Sequence, residues 1–288
     1  MKNKNYFLLF AIIFIANACQ KKAEEASPIT GTFTAMSYNV AGLPQGINSD
    51  QFPELHMPMI SPRLNNYNIV AVQEDFYYHK ELVQENHHQY KSKYFALEGG
   101  LGDGLNQFSD YLMLNYMRTG WDDCHGTDCY TPKGFTYSRV KITPKVYIDV
   151  YNLHCNAGSD SADLAARRKN ILQLCKYINL RSKDNAVIVL GDFNCRYTRT
   201  GDNIRELLSL GFKDAWIEKE RNGILPTQND IPLLGVEVVD KIFYKSNSTI
   251  ELKALEYVMP TTDFLDNDGN WLSDHRPIYT KFQFTLLQ

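Results

Sequence analysis

One recurring pattern constrains this chain more than any other: short apolar, β-branched runs that stop on an acidic, amide or imidazole side chain. Asn39 closes the run that opens at residue 32, and Glu74 follows Val70-Ala71-Val72-Gln73. His154 follows Val150-Tyr151-Asn152-Leu153, and Asp192 and Asn194 follow Val189-Leu190. Runs of this kind read as strands, here at 32–40, 68–72, 111–116, 145–153, 186–190, 238–244 and 277–286. A single Asn or Asp at a strand end is an ordinary turn residue. Burying each such group alone would cost several kcal/mol, so their recurrence points to one shared polar site along one edge of the sheets.

Helical spacing is rarer. Residues 163–179 place Leu164, Ile171, Cys175 and Ile178 on one face, with Asp160 or Ser161 available as N-cap. A shorter helix fits 203–210, closed by Gly211. Strands and helices alternate without the regular rhythm of a purely parallel sheet, so the expected fold is α/β with a two-sheet core flanked by helices. No linker, charge block or repeat interrupts 31–288, which is expected to be a single domain.

The N-terminus reads differently. Lys2 and Lys4 precede an apolar run at 6–16 that ends in Ala16-Asn17-Ala18-Cys19. Residues 1–18 read as an export signal, too short to span a bilayer comfortably. Small residues before Cys19 resemble a bacterial lipoprotein signal, with lipid on Cys19 and a polar tether over 19–30. An ordinary secretory leader is the alternative. The expected location is therefore exported and membrane-anchored, at the outer membrane or cell surface. Loss of Lys2 and Lys4 takes 30 Lys+Arg to 28 against 33 Asp+Glu, and no basic stripe announces nucleic acid. Cys124 and Cys129 flank a short loop and are expected to pair in an oxidising compartment. Cys175 falls on the apolar helix face as a buried thiol.

The segments Ser37-Tyr38-Asn39-Val40, Val72-Gln73-Glu74, Asn152-Leu153-His154, Gly191-Asp192-Phe193-Asn194, Val239-Asp240-Lys241-Ile242-Phe243 and Ser273-Asp274-His275-Arg276-Pro277, in that order, resemble the endonuclease/exonuclease/phosphatase superfamily. The resemblance implies a four-layer α/β sandwich, two mixed sheets packed face to face with helices outside. It also implies hydrolysis of a phosphate ester with Mg2+ or another divalent cation such as Mn2+ or Ca2+. Glu74 would supply a hard carboxylate oxygen to the metal, with Asn39 and Asp274 completing its neighbourhood. His275 is the favoured general base, oriented by Asp240, while Asp192 could position or deprotonate the attacking water instead. His154 and Asn194 would donate to phosphate oxygens. His79, His87, His88 and His125 lack motif support and are expected at the surface or in loops.

Fold and machinery do not fix the substrate. The acidic mature chain, the expected lipid on Cys19 and an opening strand through Leu43-Pro44 similar to that of sphingomyelinases favour a choline-type lipid headgroup over nucleic acid. An exported magnesium-dependent nuclease is the alternative, and a non-catalytic surface-binding lipoprotein a further one. The aromatic segment 121–135, with Trp121, Tyr130 and Phe135, could enter a membrane interface, stack on a substrate, or pack beneath its own loop. Cys155 and Cys195 each follow a site segment and could lie near one another, as thiols or a disulfide.

Overall fold

The computed structural model describes residues 29–48, 50–98, 100–227, 230 and 237–287. The expected export signal at 1–18, Cys19 and the expected tether as far as residue 28 lie outside the described residues.

Two six-stranded mixed sheets pack face to face. In the first, β1 (Thr30–Asn39) and β2 (Ile69–Gln73) run parallel at the centre. They are flanked on one side by β11 (Ile250–Val258) and β12 (Ile278–Leu286), and on the other by β3 (Tyr90–Lys91) and β4 (Asn106–Ser109). The second sheet has β7 (Val146–His154) parallel to β8 (Ala186–Asp192) at its centre. Its remaining strands are β5 (Leu112–Gly120), β6 (Gly134–Thr143), β9 (Lys213–Asp214) and β10 (Asp240–Lys245).

Alternation decides which side chains meet between the sheets. On β1, Phe33 and Ala35 join the core shared with the second sheet, whereas Met36, Tyr38 and Val40 face outward. That outer face is covered by α1 (Pro53–Arg63) through Met57 and Ile60. The sequence gives no clean helical signal there because Pro58 and Pro62 interrupt the helix. Each removes a backbone donor, and burial of the apolar face outweighs that loss. On the far side, α3 (Ser161–Arg181) buries Ile171, Leu174, Cys175 and Ile178, and its N-cap Asp160 forms a capping box with Asp163. Two short helices, α4 (Arg205–Ser209) and α5 (Ala215–Glu220), and a single turn, α2 (His79–Leu82), complete the outer layers. The 203–210 helix is thus shorter than its spacing predicts. Among the described residues no helix is long and apolar enough to cross a membrane.

The layer between the sheets changes character along its length. Toward the C-terminal ends of β1, β2 and β7 it becomes polar and hydrogen-bonded, with Gln73 Nε2 donating to Asn152 Oδ1 at 2.7 Å and Asn152 Nδ2 to Val72 O at 2.9 Å. Ser138 Oγ donates to Gln107 Oε1 at 2.9 Å. These links bridge the two sheets and fix their relative position, although Gln107 Nε2 stays without a hydrogen-bond partner.

Gly191 is required at the end of β8. Its φ is +150°, and a Cβ there would stand 2.2 Å from Leu153 O on the neighbouring β7. Gly191→Ala is expected to cost about 2–4 kcal/mol through overpacking of backbone against backbone. Chemical denaturation should show this loss as a lower midpoint at unchanged slope. A wild-type midpoint would contradict the required close approach.

Candidate metal and phosphate site

Strand direction brings the polar tips together. β1 and β2 end side by side at Asn39 and Gln73, and β7 and β8 end at His154 and Asp192. β10 is antiparallel to β8 and starts opposite Asp192 with Asp240. β12 is antiparallel to β1, with Ile278 opposite Ser37, so residues 273–275 just before it arrive beside Asn39. Ser273 secures that approach by donating to Asn39 O at 2.7 Å and accepting from His275 N at 3.1 Å. Three of the five non-glycine residues with positive φ among the described residues stand here: Ala41 at 52°, Glu74 at 56° and Asn194 at 51°. Each such conformation costs roughly 1–3 kcal/mol, and clustering of this kind is characteristic of functional sites.

Asp192 is the hub. Its Oδ2 accepts from Asn39 Nδ2 at 3.2 Å and lies 3.3 Å from His154 Nε2 and 3.7 Å from His275 Nε2, while Oδ1 accepts from Asn194 N at 2.9 Å. Burial pushes the Asp192 carboxyl up to about 6, opposed by the charge of His275. Asp240 Oδ2 holds His275 Nδ1 at 2.8 Å. Burial disfavours the charged imidazole of His275, but Asp240 and Asp192 outweigh it and hold the group well above its ordinary range. His154 moves the other way, well below its ordinary range, through burial and then the positive charges of Lys133 and His275. Their surroundings therefore push the two imidazoles in opposite directions.

Glu74 accepts from Asn39 Nδ2 at 2.9 Å and lies 3.9 Å from His154 Nε2. Among the described residues no lysine or arginine stands within ion-pair distance of its carboxylate. Glu74 and Asp274 line one groove, giving two hard oxygen donors with exposure to solvent. A divalent cation that keeps most of its waters fits this donor set. Ligand atoms of Glu74, His154 and Asp192, and of Asp192, Asp240 and His275, also lie within 4.8 Å of one another. Asp274 belongs to neither cluster and joins the site through the groove and Ser273. Asn194 Nδ2 donates to Cys155 O at 3.1 Å, so one of its N–H groups is engaged by the backbone.

Sequence reasoning missed Lys133. Its Nζ stands 3.0 Å from His154 Nε2 and pairs with Asp128, whose other oxygen accepts from Ala157 N at 2.6 Å. The Cys124–Cys129 disulfide closes the turn that carries Asp128. A lysine in a loop carries no periodic signal; the expected disulfide and the aromatic residues marked the segment, but not the lysine. Within that segment, Phe135 is buried in β6, and Trp121 packs against Phe135 and donates to His154 O at 2.7 Å. Trp121 and Phe135 thus pack beneath the loop, which corrects a membrane-entering role for them, while Tyr130 stays exposed.

His88 is also unlike the expectation, since it is buried, with Nε2 2.6 Å from Tyr67 O. His79 stacks on Tyr94 and pairs with Asp75, and His125 pairs with Asp163. Cys155, Cys175 and Cys195 are buried free thiols. Cys155 sits directly behind the hub, donating its N–H to Asp192 O at 2.9 Å.

Lys133→Met should lower turnover by roughly 10²–10³-fold if the ammonium meets a phosphate oxygen, the range seen for removal of one such donor. Steady-state kinetics on a soluble phosphodiester, with thermal unfolding as control, would show it. A loss confined to stability would leave Lys133 a structural residue.

The fold is a two-sheet α/β sandwich with a polar site along one edge, and sequence comparison assigns it to a family. The sequence family described as Endonuclease/Exonuclease/phosphatase family 2 matches residues 48–232. The chain belongs to that family. Curated sphingomyelinases of Mycobacterium bovis and Mycobacterium tuberculosis are each 34% identical over 266 residues, covering 89% of this chain and 54% of the relative. The chain thus spans about half the length of the curated relatives it matches. Among solved structures, beta toxin of Staphylococcus aureus with bound magnesium ions superposes with a TM-score of 0.61 at 17% identity, covering 87% of this chain and 99% of that one. Sphingomyelinase C from Streptomyces griseocarneus gives 0.62 at 15%, with 87% and 99% covered. A D. rerio TDP2 complexed with single-strand DNA product gives 0.61 at 14%, with 87% and 98% covered. These likenesses establish the fold.

Proposed function

We propose that this chain is a magnesium-dependent phosphodiesterase that hydrolyses the phosphodiester of a sphingomyelin-like, choline-type lipid. The observation that carries the reading is the Asp192 carboxylate meeting Asn39, His154 and His275 beside Glu74, a site with a metal-competent carboxylate, phosphate donors and a proton-handling pair. The 34% identity to curated sphingomyelinases supports the lipid substrate, and the acidic balance of 33 Asp+Glu against 30 Lys+Arg disfavours nucleic acid.

Glu74 and Asp274, with Asn39 nearby, would hold the ion. When bound, it neutralises charge on the phosphate and on the leaving oxygen. Lys133 and His154, 3.0 Å apart, would meet the non-bridging oxygens of a bound phosphate, where negative charge concentrates during transfer. A water attacking phosphorus gives its proton to the His275–Asp192 pair. Asp240 fixes the His275 ring through Nδ1, which keeps Nε2 turned toward Asp192. The lipid alkoxide would leave on the opposite side of phosphorus and take its proton from solvent. Export on the leader at 1–18, lipid attachment at Cys19 and anchoring at the outer membrane or cell surface complete the proposal and place the enzyme near its substrate.

The test is a panel of sphingomyelin, phosphatidylcholine, inositol phosphates and linear DNA, each with magnesium and with chelator. Fastest magnesium-dependent turnover of a choline lipid is expected. Cleavage of DNA alone would make the chain a nuclease, and no turnover of any substrate would favour a binding lipoprotein.

A further inference from the structure

Strand alternation alone would send Glu74 the wrong way. On β2, Ile69 and Ala71 face the core shared with the second sheet, whereas Val70 and Val72 pack with Met57 and Ile60 of α1 on the outer face. An extended backbone would carry Glu74 to that outer face with Val72. Its φ of 56° reverses the direction, and the carboxylate instead meets Asn39 Nδ2 at 2.9 Å and lies 3.9 Å from His154 Nε2 on the second sheet. A left-handed conformation at a residue with a side chain persists only where surrounding contacts over-determine it.

Those contacts form a ring around the turn. Gly42 N and Phe76 N both donate to Glu74 O, at 3.0 and 2.8 Å, and Asp75 N donates to Gly104 O at 3.0 Å. The side chain of Asp75 is buried, and one of its oxygens meets Asn106 Nδ2 at 2.8 Å and His79 Nδ1 at 2.5 Å. His79 stacks on Tyr94 with ring centroids 4.5 Å apart, and the Tyr94 hydroxyl donates to Phe76 O, which closes the ring. Asn106 is oriented for its part, because its Oδ1 accepts from Ser92 Oγ at 2.9 Å and from Arg118 Nη2 at 2.8 Å, leaving Nδ2 for Asp75.

We propose that Asp75, His79 and Tyr94 form a positioning clamp, which holds the Glu74 turn left-handed and so aims its carboxylate between the sheets. The inference rests on the proposed metal role of Glu74 and adds what fixes that ligand's direction. The Asn39 hydrogen bond restrains the tip of the Glu74 side chain, whereas the clamp restrains its backbone. Asp75 is held through its side chain and Phe76 through its carbonyl, so the two residues after Glu74 cannot rotate without breaking one of these links.

The experiment compares the full chain with its Tyr94→Phe and His79→Phe variants. Both keep an aromatic ring in the stack; the first removes only the hydroxyl that holds Phe76 O, the second the nitrogen that meets Asp75. Ile171→Ala, which opens the buried face of α3, is the destabilised control. Magnesium titration calorimetry, run well below each thermal midpoint, should show the dissociation constant raised about 10–100-fold in both clamp variants, the loss usual for partners that orient a metal ligand, and unchanged in Ile171→Ala. Amide exchange followed by NMR in metal-free protein should accelerate at Gly42 and Phe76, whose N–H groups bond to Glu74 O, while the amides of α3 keep their rates in the two clamp variants.

Unchanged exchange at Gly42 and Phe76 in either clamp variant would overturn the inference, as would an equal loss of magnesium affinity in Ile171→Ala. If Glu74→Gln loses magnesium while the clamp variants bind it as tightly as wild type, the metal role stands and the clamp fails. If exchange accelerates in the clamp variants but the wild-type chain binds no magnesium, the clamp on the turn stands and the metal role of Glu74 fails.

Discussion

Glu74→Gln lowers hydrolysis of a soluble phosphodiester by about 10³-fold at saturating magnesium, the expected loss when several kcal/mol of charge stabilisation at the phosphate disappear. The substitution keeps the shape of the side chain, and its carbonyl oxygen can still accept the Asn39 hydrogen bond seen at 2.9 Å. The left-handed turn at φ 56° is formed by the backbone and is unaffected. Folding should therefore survive, with a thermal midpoint within a few degrees of wild type. Titration calorimetry should show magnesium binding weakened in parallel, because a hard cation loses a charged oxygen ligand. A variant that remains active in excess chelator would remove Glu74 from any metal role.

The second large effect lies across the site. Asp240→Asn and His275→Ala are each expected to lower turnover by about 10³–10⁴-fold, as loss of an orienting carboxylate does in a comparable carboxylate–imidazole pair. The 2.8 Å contact between Asp240 Oδ2 and His275 Nδ1 makes them one unit. The double variant should then match His275→Ala within about tenfold instead of multiplying the two losses. Multiplicative losses would show that the side chains act separately. Asp240→Asn also removes the largest influence raising the affinity of His275 for its proton, so the pH dependence of its residual activity should move to lower pH. An unmoved profile would mean that the imidazole is not the group being titrated.

Much of this site was legible in the chain because strand periodicity and catalytic chemistry coincide there. Asn39, Glu74, His154 and Asp192 each follow an apolar run, and the runs pair so that their ends meet. Asp240 and His275 were legible through motif, although Asp240 starts β10 and His275 precedes β12, and antiparallel pairing of those strands brings both back to the same edge. Lys133 was not legible. It belongs to a loop, its partner Asp128 is fixed by a disulfide-closed turn, and its contact with His154 spans 21 residues.

Helix α1 was hidden for a different reason. Two internal prolines oppose local helix formation, and only tertiary burial of Met57 and Ile60 decides the outcome. The aromatic segment 121–135 shows the converse. Composition left Trp121 and Phe135 open between an exposed role and packing beneath their loop, and pairing of β5 with β6 decides it by carrying Phe135 into the core and Trp121 onto it. Of the three aromatic residues singled out there, Tyr130 is the one that stays exposed.

The central claim, attack of water on the phosphorus of a choline-type lipid, is tested most directly by hydrolysing sphingomyelin in ¹⁸O-labelled water with magnesium and analysing the products by mass spectrometry. Phosphocholine carrying one ¹⁸O, formed together with the unlabelled lipid alcohol and absent with Glu74→Gln, is the predicted result. Labelled lipid alcohol, labelled free choline, or no sphingomyelin turnover by a chain that cleaves DNA would contradict it.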